Sequence, residues 1–145
     1  MKRSAPYFVP TQILAPATLS ADNTPVAIDL LGFDAATVLI EVGAGGITFD
    51  ATNKVEFKLT QSNDDSTYTD IAAADVILGT SCDASVGTGG IVYSLKAAHA
   101  SGTVSDIKYI GGQRYLKLLA DFSGTHGTGT PIAAQVIKAY AHKQV

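Results

Sequence analysis

The sequence predicts an all-β protein, an antiparallel β-sandwich of jelly-roll type with about eight strands. Short runs rich in Val, Ile, Thr, Tyr and Phe recur with apolar and polar residues alternating. Turn-forming Gly, Asn, Asp and Ser clusters separate them at the spacing typical of sandwiches. No amphipathic run of ten or more residues has helical periodicity, and no repeat of solenoid or propeller length is present. A chain of 145 residues fits one domain with one core.

Four of the five prolines fall within the first 25 residues, so residues 1–25 are expected to form an extended arm and residues 26–145 the sandwich. Within that arm Tyr7-Phe8-Val9 is apolar and flanked by prolines. Such a patch is best buried against another subunit. Arg3, Tyr7, Phe8 and Val9 are therefore the candidate partner-binding residues. Lys2 and Arg3 have the charge of a signal peptide, but Pro6 and Pro10 interrupt any apolar core behind them, and no secretion signal is read.

Residues 37–42 and 55–60 are the first clear strands. In the second, Val55, Phe57 and Leu59 point to one side and Glu56, Lys58 and Thr60 to the other. The two are expected to form a hairpin, with the glycine-rich stretch 43–50 as a long connection that has room for a short extra strand. Residues 61–66 make an Asx-rich turn leading into a second hairpin at 67–70. Residues 72–78 fit either a short helical turn or an edge strand. Further strands follow after the glycines at 87–90 and at 105–110. Residues 114–122 should send Leu116, Leu118, Ala120 and Phe122 inward, and a Gly/Thr loop then leads to a last strand at 132–141.

Composition narrows the function. Charged residues are only 16% of the chain while hydrophobic residues reach 46%, which suggests a surface in contact with other protein. Net charge is -3 and no basic cluster exceeds Lys2-Arg3, so nucleic acid is not an expected partner. No run of 18 apolar residues occurs, and no membrane association is expected. Cys82 is the single cysteine, which excludes an internal disulfide; its acidic neighbours do not favour a reactive thiolate.

No catalytic or metal motif is legible, and no cofactor is expected. His99, His126 and His142 lie in separate segments without ligand spacing. His126 is expected to be solvent-exposed in a flexible hairpin loop, because the Gly/Thr stretch around it lacks the Lys-Ser/Thr pair and following helix of a phosphate loop. Asn63-Asp64-Asp65 lacks the spaced acids, Gly and closing Glu of a calcium loop and is read as a turn. Tyr68, Tyr93, Tyr109, Tyr115 and Tyr140 are expected in the core or at a subunit interface, with stacking on sugar rings as the other use of such side chains.

Three blocks, residues 57–76, 109–118 (Tyr-Ile-Gly-Gly-Gln-Arg-Tyr-Leu-Lys-Leu) and 122–134 (Phe-Ser-Gly-Thr-His-Gly-Thr-Gly-Thr-Pro-Ile-Ala-Ala), resemble small structural proteins of tailed bacteriophages, prophages and gene transfer agents. The similarity covers residues 26–141. It implies a non-enzymatic virion protein of decoration, vertex or head-fibre-base type. Its implied location is the capsid surface after synthesis in the host cytoplasm. Its implied partners are the major capsid protein, copies of itself and a fibre protein. The same blocks are also similar to the discoidin-like galactose-binding sandwich, which implies a carbohydrate-binding module used in host attachment. Ser66 in place of Gly and Tyr68 in place of Trp depart from that second pattern.

Overall fold

The computed structural model describes residues 8–141. They form ten strands in two five-stranded antiparallel sheets, with one 3₁₀ turn at Ala73–Asp75. The strands are β1 (Phe8–Leu19), β2 (Ile28–Asp29), β3 (Phe33–Val42), β4 (Lys54–Ser62), β5 (Thr69–Asp70), β6 (Val76–Leu78), β7 (Ile91–Leu95), β8 (Thr103–Tyr109), β9 (Tyr115–Ser123) and β10 (Thr130–Ala141). Sheet A has the order β1-β10-β3-β8-β6. Sheet B has the order β2-β9-β4, with β5 and β7 sharing the remaining edge of β4. Leaving aside the short β5 and β6, the eight strands read β1-β10-β3-β8 against β2-β9-β4-β7, the order of a jelly roll.

Alternation sets the core. Val38, Ile40 and Val42 of β3 and Ile132, Ala134 and Val136 of β10 meet Val55, Phe57 and Leu59 of β4 and Leu116, Leu118 and Ala120 of β9, all 2% exposed or less. Phe57 stacks on Tyr93, ring centroids 5.4 Å apart. Residues 72–78 combine both forms the sequence allows, the 3₁₀ turn running directly into the edge strand β6.

Three expectations change. Residues 8–19 of the expected arm are instead one of the two longest strands, paired with β10 from Phe8↔Ala139 to Leu19↔Thr130. Pro10 and Pro16 are tolerated because an edge strand can turn a missing N–H away from its neighbour. The segments 37–42 and 55–60 do not form a hairpin: β3 lies in sheet A and β4 in sheet B. Their connection, 43–53, crosses one end of the sandwich and is anchored by Phe49, 3% exposed, and no extra strand forms in it. Gly45 and Gly46, at φ of 92° and 89°, supply its left-handed bends. The third change is His126, which is buried at 4% exposure.

The registers define two ends. The loops 43–53, 96–102 and 124–129 gather at the far end. The near end holds the turn between β2 and β3, the Asx turn and the loop between β8 and β9.

Candidate interaction surface

At the far end His126 packs edge-on against Phe122, centroids 4.8 Å apart, and lies 6.1 Å from Phe49. Its Nε2 donates to the Ser123 carbonyl oxygen at 2.8 Å, and Nδ1 has no partner among the described residues. His99 lies on Phe49 at 5.6 Å. Asp50 accepts the amides of Thr52 and Asn53, both at 2.7 Å, and Asn53 accepts the Thr125 amide at 2.9 Å, which ties two of the loops together. These bonds hold the Asp50 carboxyl below the usual carboxylate range. Among the described residues, no three His, Cys, Asp or Glu side chains gather to hold a metal ion.

At the near end a groove of about 350 Å³ lies between residues 30–36 and 109–114. Two of its polar side chains, Arg114 and Tyr109, are committed to partners within the fold. Arg114 makes a two-pronged ion pair with Asp29, at 2.8 and 2.6 Å, and pulls that carboxyl down to about 2. The Tyr109 hydroxyl donates to Gln61 at 2.7 Å and accepts the Gln113 amide at 2.9 Å. Asp64 accepts the amides of Ser66 and Thr67 at 2.9 and 2.8 Å, which lowers it to about 2 and gives the expected Asx turn.

The tyrosines divide. Tyr93 and Tyr109 belong to the core. Tyr68 and Tyr115 are half-buried, each with a cation over one ring face: Lys117 Nζ stands 3.9 Å from the Tyr68 centroid and the Arg114 guanidinium 4.8 Å from that of Tyr115. The Tyr68 hydroxyl donates to Asp65, and burial pushes it up. Cys82 is half-buried against the Asp106 carbonyl oxygen, and burial raises its thiol.

The two outer faces of the sandwich differ in charge. On sheet B the outward side chains form ion pairs, Lys54 with Glu56 at 2.6 Å and Lys58 with Asp121, and Lys117 lies 4.0 Å from Asp65. On sheet A the outward positions are Thr37, Leu39 and Glu41 on β3, Ala133, Gln135 and Ile137 on β10, Val104, Asp106 and Lys108 on β8, and Ile77 on β6. Its charges there are the Asp106–Lys108 pair at 2.6 Å and Glu41, which accepts from Gln135 at 3.2 Å. Val104 and Ile77 are 58% and 52% exposed, and Ile110, one residue past β8 on the same side, is 59% exposed. A shallow groove of about 470 Å³ crosses this face between Pro16, Ala133 and Val104.

Of the expected partner-binding residues, Phe8 is exposed and Val9 half-buried at the start of β1. Arg3, Tyr7, His142 and the side chain of Tyr140 lie outside the described residues. The outer face of sheet A was not foreseen. The signal was present in the spacing Val104-x-Asp106-x-Lys108-x-Ile110.

Fold and surface together define a jelly-roll sandwich with one ion-paired face and one face poor in charge. No family model, no curated protein and no solved structure matches the chain.

Proposed function

We propose that the protein is a non-enzymatic structural component of a tailed-phage-type particle, a capsid-associated decoration, vertex or head-fibre-base protein that joins the major capsid protein and copies of itself. The resemblance of residues 57–76, 109–118 and 122–134 motivates the class of particle. The observation that carries an assembly role is the charge-poor outer face of sheet A, with Val104, Ile77 and Ile110 exposed, set against the ion-paired face of sheet B. Depletion of charge and exposure of branched apolar side chains mark surfaces that bind protein. The carbohydrate-binding reading has less support, because among the described residues a cation already covers one face of each half-exposed tyrosine, Tyr68 and Tyr115.

Cryo-electron microscopy of particles from the source tests the proposal. The expected result is density for this sandwich at symmetric positions on the capsid, with the outer face of sheet A covered. Absence from the shell, or presence only at a fibre tip, overturns it.

A further inference from the structure

The outward side chains along β8 read, in order, apolar, acidic, basic, apolar: Val104, Asp106, Lys108 and Ile110. This order is self-complementary under reversal. If a second copy is laid face to face with its β8 running the opposite way, about a two-fold axis crossing the strands at the level of Ile107, each residue meets its complement. Val104 meets Ile110 of the partner subunit, and Asp106 meets Lys108 of the partner subunit. The operation supplies every such contact twice, as a closed dimer requires. Val104 and Ile110 are 58% and 59% exposed, so both are available to be covered. The Asp106–Lys108 pair at 2.6 Å becomes a four-charge network of alternating sign. Glu41, level with Val104 in the register, is carried away from its own copy rather than onto it.

Size agrees with such a contact. Five strands about 4.8 Å apart and a central strand rising about 3.3 Å per residue give the face a footprint of about 600 Å² before side-chain relief is counted. That is the same order as the ~800 Å² per partner of a stable interface. Sheets stacked face to face with nearly aligned strands are an ordinary packing.

We infer that the outer face of sheet A is a homodimer interface, with antiparallel β8 strands stacked across a two-fold axis and Asp106 paired with Lys108 of the partner subunit. The inference rests on reading that face as an assembly surface.

The test is sedimentation equilibrium of the full chain with three charge variants: Asp106→Lys, Lys108→Asp, and the two combined. Each single reversal sets like charges opposite one another twice and is expected to weaken the dimer by about 100-fold or more. The combined variant restores opposite charges across the axis and is expected to recover the dimer. Val104→Glu is a second variant, expected to abolish association while the circular dichroism spectrum stays that of the parent. A chain that is monomeric throughout overturns the inference. So does association that survives both single reversals or is not recovered by the combined variant. A dimer of this kind that does not attach to heads removes the proposed function and leaves the interface standing, whereas a monomer that decorates heads does the reverse.

Discussion

At the scale of single residues, the Arg114–Asp29 pair gives the clearest pH dependence. Asp29 is pulled down to about 2 in the folded chain, against about 3.9 when unfolded. A lowered carboxyl adds stability above its unfolded value, and the contribution disappears as pH falls through the folded one. Asp29→Asn should therefore narrow the stability difference between pH 6 and pH 2 in urea melts. The effect at neutral pH should stay below about 1 kcal/mol, since both side chains are more than a third exposed. Phe57 stands at the other extreme. It is fully buried and stacked on Tyr93, so Phe57→Ala should cost about 3–5 kcal/mol in a denaturant titration. Val55, Phe57 and Leu59 could be placed in the core from the sequence because alternation with Glu56 and Lys58 assigns a face directly. His126 could not. Its ring lies 6.1 Å from Phe49, which comes from a loop far away in the chain, and no local pattern records that contact.

At the scale of elements, the edge of β9 is closed without a long strand. Asn23 donates to the Leu118 carbonyl oxygen at 3.1 Å and accepts the Ala120 amide at 2.7 Å, while Asp22 accepts the Phe122 amide at 2.7 Å. Two side chains stand in for a ladder and leave β2 to pair only at Leu116 and Tyr115. Asn23→Ala should cost about 1–3 kcal/mol and speed amide exchange at Ala120. This edge also shows where sequence reasoning stopped. Strand positions were legible wherever alternation held, as in β4 and β9. Alternation fixes a strand's face but not its sheet, which is why β3 and β4 looked like a hairpin. β1 was hidden by Pro10 and Pro16 and by register shifts on either side of Leu14 that spoil its alternation. The outward row on β8 could be assigned only once Ser105, Ile107 and Tyr109 were seen to point inward.

At the scale of the whole molecule, β1 and β10, the first and last strands of the described residues, pair within one sheet. A variant beginning at Ser20 lacks β1 and leaves the β10 edge and the core around Ile13 and Leu14 open. Its cooperative thermal transition should be lost or fall by many degrees, followed by circular dichroism; an unchanged transition would mean that residues 8–19 contribute little to the sandwich. The same pairing brings Phe8 level with Ala139, while Ala141 lies beside Phe33. The backbone thus enters and leaves the sandwich at one pole, opposite the loops 43–53, 96–102 and 124–129. A guest polypeptide spliced before Phe8 or after Ala141 would stand clear of those loops, and a linker bridging the two positions would let the chain be reopened within 96–102 without cutting a strand. The architecture is in that sense a natural substrate for circular permutation and for display.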